Sequence, residues 1–311
     1  MKLLKHGVTR RQFLKTSGGA SLMYSLAPGL AIATESPVIK KAIPSSGERL
    51  SVIGLGTSRT FDVDSDNAAA SPLLQVMQAF FDNGGQLIDS SPMYGSAETV
   101  TGTLLKQVQK GRRIFTATKV WTNGKRAGIE QMERSQQRLG VDQIDLMQIH
   151  NLVDWQAHID TLIEWKAEGR IRYIGITTSH GRSHDELEEI LQRLPLDFVQ
   201  FSYNILNRTA EQRLLPLARE KGIATLINRP YQRGSLFRQV KGQPLPAWAA
   251  DFDCVSWGQF FLKFIAAHPA VTCIIPATSK LKHMVDNMAA GYGRLPDQPT
   301  RQRMIRLIES L

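Results

Sequence analysis

Residues 144–177 read IDLMQIHNLVDWQAHIDTLIEWKAEGRIRYIGIT. Two short apolar runs, IDLMQIH (144–150) and IRYIGIT (171–177), flank a segment in which Ile159, Leu162, Ile163 and Trp165 fall at helical spacing before Gly169. Runs of that length bounded by amphipathic text predict a strand, a helix and a second strand.

The same alternation extends in both directions. SVIGLG (51–56), QLIDS (86–90) and IFTATKVW (114–121) precede the unit, while DFVQFSY (197–203), IATLIN (223–228) and VTCIIP (271–276) follow it. Helical text separates most of these runs; GIEQMERSQQRL, for example, turns Ile129, Met132 and Leu139 to one side. Eight such units predict an α/β fold, a single (β/α)8 TIM barrel closed on itself rather than an open sheet. A doubly wound dinucleotide fold fits less well, because Gly54-Leu55-Gly56-Thr57 lacks the later glycine of that fingerprint. VIKKAIPSSGERLSVI reads as an N-terminal β-hairpin around Pro44–Gly47 that closes the bottom of the barrel, and QRMIRLIESL as a C-terminal helix on its outside. Thr209-Ala210-Glu211-Gln212 reads as a capped helix start. The stretch RGSLFRQVKGQPLPAWAADFDC reads as an irregular loop of the kind that covers a site.

The first residues stand apart. MKLLKHGVTRRQFLKTSGGASLMYSLAPGLAIA has a basic head, a mildly apolar middle and a small-residue end at Ala31-Ile32-Ala33. Thr9-Arg10-Arg11-Gln12-Phe13-Leu14-Lys15 resembles a twin-arginine export signal, so we assign residues 1–33 to a signal peptide and 34–311 to the barrel. The resemblance implies folding before export, recognition by the twin-arginine machinery and a periplasmic location. An uncleaved signal would tether the barrel to the membrane.

Without those residues, which hold five cations and no Asp or Glu, the formal charge falls from +10 to +5. That balance, with no zinc-finger spacing or single-strand stacking pattern, argues against a nucleic-acid partner and for small anionic ligands. Cys254 and Cys273 are the two cysteines; Cys273, inside VTCII, reads as a small core residue. His180 and His184 in SHGRSH stand four apart without a third ligand, so no metal site is expected.

Strand ends of a barrel converge at one mouth. There the sequence places Asp89 at the end of the second strand, Tyr94 in the loop Ser90–Gly95 that follows, Lys119 near the end of the third strand and His150 at the end of the fourth. A carbonyl that accepts a hydride at carbon needs a proton at oxygen, which a tyrosine can supply. Lys119 is expected to pull the Tyr94 pKa down, Asp89 to orient that lysine, and His150 to donate an imidazole N–H to the carbonyl oxygen.

These residues, together with IGLGT, the stretch SPMYGSAE soon after Asp89, TKVW, RLGVDQIDLMQIH, IRYIGITTS, VQFSYN and IPATS followed by DN, resemble the aldo-keto reductases over roughly residues 38–290. The resemblance makes Asp89, Tyr94, Lys119 and His150 the catalytic tetrad and implies an extended nicotinamide cofactor, with NADPH preferred and NADH possible. It places Thr177, Thr178 and Gln200 at the carboxamide, although a threonine at 178 departs from the usual asparagine. Arg229, Gly234 and Leu236 match the diphosphate turn, with a structural loop role open for Arg229. Thr278, Ser279, Lys280, Asp286 and Asn287 match the adenosine end. Asn228 stands where relatives carry an aromatic that stacks on the nicotinamide, which leaves either another aromatic, such as Tyr231 or Tyr203, or a nicotinamide held mainly by hydrogen bonds. Trp121 is expected to form one wall of a substrate pocket, with Gln232–Trp248 on the other side. The implied function is reduction of a small aldehyde or ketone; the alternative is an exported, non-enzymatic nucleotide-binding or accessory protein on the same barrel. A reductase outside the cytoplasm also implies a redox partner that regenerates its cofactor.

Overall fold

The inward positions of the strands run from apolar at one end of the barrel to polar at the other, and this gradient creates the site. The computed structural model describes residues 37–68, 71–108 and 111–311; the signal assigned to residues 1–33 lies outside them. Eight parallel strands follow one another in sequence order: β3 (Leu55–Gly56), β4 (Leu87–Asp89), β5 (Phe115–Val120), β6 (Ile144–Ile149), β7 (Ile171–Thr177), β8 (Phe198–Ser202), β9 (Ala224–Asn228) and β10 (Cys273–Ile274). The ends meet where Gly54 N–H donates to Ile274 O at 2.7 Å and Gly56 N–H donates to Pro276 O at 3.0 Å. A Cβ at Gly56 would lie 2.8 Å from the Ile275 carbonyl oxygen, so this seam requires glycine. The predicted TIM barrel is the fold of the chain.

Because strand side chains alternate, Leu87, Phe115, Ala117, Leu146, Tyr173 and Phe198 point into the barrel and pack with one another. Their neighbours Ile88, Met147, Ile149, Ile174 and Val199 face the helix layer. The hairpin of β1 (Lys40–Ala42) and β2 (Arg49–Ser51) caps the bottom, where Ile43 and Leu50 join the interior cluster. The predicted first strand, 51–56, is in fact shared: Ser51 belongs to the hairpin, Leu55–Gly56 to the barrel, and Ile53 bridges to Ile274 of β10.

The helix layer contains α1 (Leu73–Asp82), α2 (Ala97–Val108), α3 (Lys125–Leu139), α4 (Trp155–Ala167), α5 (His184–Arg193) and α6 (Leu214–Glu220). Ile159, Leu162 and Trp165 of α4 are buried as expected, whereas Ile163 is exposed. Thr209 does not cap α6; it opens a separate 3-10 turn, Thr209–Glu211, and α6 begins after Arg213. The stretch expected to be irregular holds α7 (Ser235–Gln239) and a 3-10 segment, Ala247–Phe252. Leu236, Ala249 and Phe252 bury apolar side chains there, which the mixed Gly, Pro and charge content concealed. α8 (Trp257–Ala266), α9 (Leu281–Ala289) and α10 (Gln298–Glu309) complete the layer. Arg301 of α10 donates to the buried Tyr203 hydroxyl at 2.6 Å and to Glu211 at 2.7 Å, which fixes the C-terminal helix to the barrel wall.

Phe198 fills the barrel floor, its ring centre 5.9 Å from Phe115 and 5.6 Å from Tyr173. Phe198→Ala should therefore cost roughly 3–5 kcal/mol through the cavity it leaves; urea unfolding followed by far-UV circular dichroism measures this.

Candidate active site

The inward files of β4, β5, β6 and β8 become polar at their last positions. Leu87 gives way to Asp89, Phe115 and Ala117 to Lys119, Leu146 to Gln148 and then His150, and Phe198 to Gln200. Strand register sets Lys119 beside Gln148, and Thr177 beside Gln200. The polar residues form one layer because the pleat has a period of two.

At its centre, Lys119 Nζ donates to Asp89 Oδ2 at 2.6 Å and to the Ser90 carbonyl at 2.7 Å. The side chains are 0% and 2% exposed, so both charges depend on their partners. The other Asp89 oxygen accepts from Gln148 Nε2 and Gln200 Nε2, each at 3.0 Å. Burial works against the Lys119 charge, but Asp89 and Tyr94 outweigh it and hold its pKa above the ordinary lysine range.

Tyr94 lies half-buried at the mouth. Its ring centre is 5.2 Å from Lys119 Nζ and 5.7 Å from the His150 ring, which it meets edge-on. The expected downward pull from Lys119 is present, yet burial is the larger influence and the phenol stands above its usual value. The correction has a physical reason: removing water from the hydroxyl disfavours phenolate more than the nearby ammonium favours it. Tyr94 is therefore a protonated donor at neutral pH.

His150 is pushed down to about 3, first by burial and then by the Lys119 charge, and is a neutral imidazole. Ser91 is the hydrogen-bond partner of one of its ring nitrogens. Ser91 Oγ accepts from Met93 N–H at 3.2 Å and lies 2.9 Å from His150 Nδ1. Met93 takes one of the two lone pairs of the hydroxyl, and the arrangement in which its proton goes to a bare Nδ1 leaves Nε2–H as the donor. Ser91 and Gln148 were not singled out in the sequence. The spacing Asp-x-Ser and the inward period from Leu146 were the signals available.

The mouth opens into a cavity of about 1080 Å³. Asp89, Tyr94 and His150 reach it, as do Thr177, Thr178, Gln200, Arg229 and Gly234, and beyond them Thr278, Asp286 and Asn287. Thr178 Oγ1 is buried there with no partner, an orphan hydroxyl suited to a ligand amide. Thr177 Oγ1 instead accepts from Asn151 N–H at 3.1 Å. Gln200 is committed to the floor by Asp89, Gln148 and Asn228. Asp286 accepts from Ser256 and Gln259, both at 2.8 Å, and Asn287 from the Tyr231 hydroxyl at 2.5 Å.

Other predicted residues stand outside the cavity. Leu236 points into the core, and Ser279 and Lys280 are exposed beyond its lining. Tyr203 does not replace the missing aromatic: it is fully buried and bonded to Arg301 and Glu211. Tyr231 reaches the cavity, but its bond to Asn287 assigns it to the end formed by α9. Asn228 itself donates to Thr178 O at 3.0 Å and accepts from Ser202 Oγ at 2.6 Å, so this strand end is held by hydrogen bonds. Trp121 stands 40% exposed beside the site, its ring centre 6.4 Å from that of His150. Among the described residues no group of three or more metal-ligating side chains occurs; His180 lines the cavity, whereas His184 opens α5. No helix of the described residues is long and apolar enough to cross a membrane.

The aldo/keto reductase family profile matches residues 52–302. Curated relatives include the aldo-keto reductase YhdN of Bacillus subtilis, 31% identical over 63% of this chain and 62% of its own length. The NADH-specific methylglyoxal reductase of Escherichia coli is 30% identical over 53% of this chain and 58% of its own length. The matches thus span about three-fifths of those relatives. An aldo/keto reductase from Klebsiella pneumoniae, solved with NADP and acetate, superimposes with a TM-score of 0.73 at 23% identity, covering 87% of this chain and 96% of the other. A holo aldo-keto reductase from Bacillus halodurans gives 0.72 at 23% identity, covering 88% and 96%. At that identity the two structures speak for the fold.

The His150 arrangement is open to direct measurement. Nitrogen-15 NMR of labelled histidine should show His150 as the Nε2–H tautomer with no protonation step between about pH 8 and 5, since its pKa is about 3. Ser91→Ala should shift that spectrum toward a mixture of tautomers; an unchanged spectrum would remove Ser91 from the role.

Proposed function

The chain belongs to the aldo/keto reductase family, and from that premise we propose that it reduces a small aldehyde or ketone with NADPH, NADH being the alternative donor. The observation that carries the reading is the buried Lys119–Asp89 pair beneath Tyr94, with a neutral His150 beside it, and with Asp89, Tyr94 and His150 facing one cavity. Binding alone requires no protonated phenol over a buried ammonium.

When bound, the reduced nicotinamide supplies a hydride to the carbonyl carbon. Thr178, with its free hydroxyl, is the residue best suited to the carboxamide, and Arg229 and Gly234 to the diphosphate; Asp286 and Asn287 serve the adenosine end. His150 donates Nε2–H to the substrate oxygen and draws off the charge that develops there. Tyr94 then gives its proton to that oxygen, which is far more basic than a phenolate. Lys119 stabilises the phenolate left behind, Asp89 holds Lys119, and Gln148 and Gln200 hold Asp89.

Asn228 favours a second reading. With no ring at this position, the same barrel would hold nucleotide without turning it over, as an accessory protein. Tyr94→Phe separates the two. It should retain NADPH binding, followed by fluorescence titration, and lower carbonyl reduction roughly a hundred- to ten-thousand-fold. Binding by the unmutated protein without any decay of nicotinamide absorbance across a panel of carbonyls would favour the accessory role.

We further propose that residues 1–33 direct the folded barrel through the twin-arginine machinery to the periplasm, on the basis of Arg10-Arg11 and the small-residue end. An uncleaved signal would act as a tether, and repeated turnover there calls for a redox partner that regenerates the cofactor. Replacing Arg10→Lys together with Arg11→Lys should strand a tagged protein in the cytoplasm; normal export would defeat the assignment.

A further inference from the structure

The cavity holds more positive charge than a diphosphate neutralises. Arg59, Arg182, Arg229 and Arg233 all line it, from the loops after β3, β7 and β9. Among the described residues none of the four forms a salt bridge. The single side-chain hydrogen bond among them runs from Arg182 Nη2 to His180 Nδ1, at 3.3 Å.

The acids that line the same cavity are engaged elsewhere. Asp62 accepts from Ser96 N–H at 3.0 Å and from Ser96 Oγ at 3.1 Å. Asp89 is taken by Lys119, Gln148 and Gln200, and Asp286 by Ser256 and Gln259. The repulsion is felt within the cluster: burial, then Arg233, Arg59 and Arg182, bring the Arg229 guanidinium down to about 10.

The backbone carries a second sign of constraint. Arg59, Arg229 and Arg233 have φ of 64°, 52° and 55°, a left-handed conformation that long side chains rarely adopt. His180, between the arginines, shares it at 69°. Non-glycine residues held in this region concentrate where a ligand is gripped.

A bound diphosphate offers two negative charges to four guanidiniums, while the extra phosphate of NADPH belongs to the adenosine end formed by Thr278, Asp286 and Asn287. The surplus is not remote from the chemistry, since Arg182 lines the same cavity as Tyr94 and His150. We propose that the carbonyl substrate is itself anionic, and that Arg182 binds its carboxylate or phosphate while Tyr94 and His150 address its carbonyl. This inference rests on the reductase reading and adds the substrate class to it. A planar guanidinium suits either oxyanion through paired hydrogen bonds, and a basic, partly desolvated mouth raises the local concentration of such substrates.

Matched pairs test the proposal. With NADPH in excess, kcat/KM should be at least ten-fold higher for 4-carboxybenzaldehyde than for benzaldehyde, or for glyceraldehyde 3-phosphate than for glyceraldehyde; the pair with the larger ratio identifies the anion. The ratio should shrink as sodium chloride is raised, and Arg182→Gln should cut it ten-fold or more. Calorimetry supplies a readout without turnover. The NADP⁺-saturated protein should bind 4-(hydroxymethyl)benzoate, or glycerol 3-phosphate, at least ten-fold more tightly than benzyl alcohol or glycerol. Equal affinities and equal kcat/KM within both pairs would overturn the anionic substrate and leave the reductase intact. Tighter binding of an anion with no reduction of any aldehyde would uphold the anion site and overturn the reductase.

Discussion

A lysine and an aspartate buried together, 2.6 Å apart under the mouth of a barrel, set the terms for everything above them. Neither charge has water to fall back on, and removing one partner of such a pair typically costs about 3–5 kcal/mol because the other is stranded. The barrel therefore holds the pair with further donors. Gln148 and Gln200 reach Asp89 from β6 and β8, and the Ser90 carbonyl takes a second proton of Lys119. The result is a fixed positive charge beneath Tyr94 that needs no rearrangement when negative charge develops on the phenol oxygen.

Two titratable neighbours are both held neutral beside that charged lysine. His150 is held neutral by burial and by Lys119, so it donates a hydrogen bond without carrying charge. Tyr94 is kept protonated because burial exceeds the attraction of Lys119. From the residues alone the expectation was a phenol made more acidic; the ordering of burial over ion pairing is a property of the packed mouth. A donor needs to be protonated before the reaction and stabilised after it. Burial accomplishes the first and Lys119 the second.

Much of the fold was legible because barrel strands obey two simple periods. Runs such as IDLMQIH and IRYIGIT announced their strands, and the alternate positions of Leu146, Gln148 and His150 already contained the polar layer. The short strands β3 and β10 were harder to delimit, since SVIGLG is divided between hairpin and barrel and the division depends on pairing with Ile274 and Pro276. Asp89, Tyr94, Lys119 and His150 were visible as strand-end polar residues that meet at one mouth. Ser91 was not, because its role depends on a loop that turns its hydroxyl back to His150 Nδ1. Leu236 and Lys280 illustrate the opposite limit: matching a motif position does not say which way a side chain faces, and these two face the core and the outer surface.

Asn228 connects the catalytic layer to the rest of the cavity. Its amide donates to Thr178 O and Gln200 Oε1, and its carbonyl accepts from Ser202, whose oxygen also accepts from His180 N–H. Gln200 in turn reaches Asp89. A continuous run of hydrogen bonds thus links Lys119 through β4, β8 and β9 to the loop that carries His180 and Arg182. An aromatic ring at 228 could stack on a ligand but could make none of these bonds. This network ties the loop that carries His180 and Arg182 to the catalytic layer. A cavity that gathers four arginines without acids to pair them needs such bracing, because like charges would otherwise drive their loops apart. The amide at 228 and the basic rim are, on this argument, two parts of one arrangement.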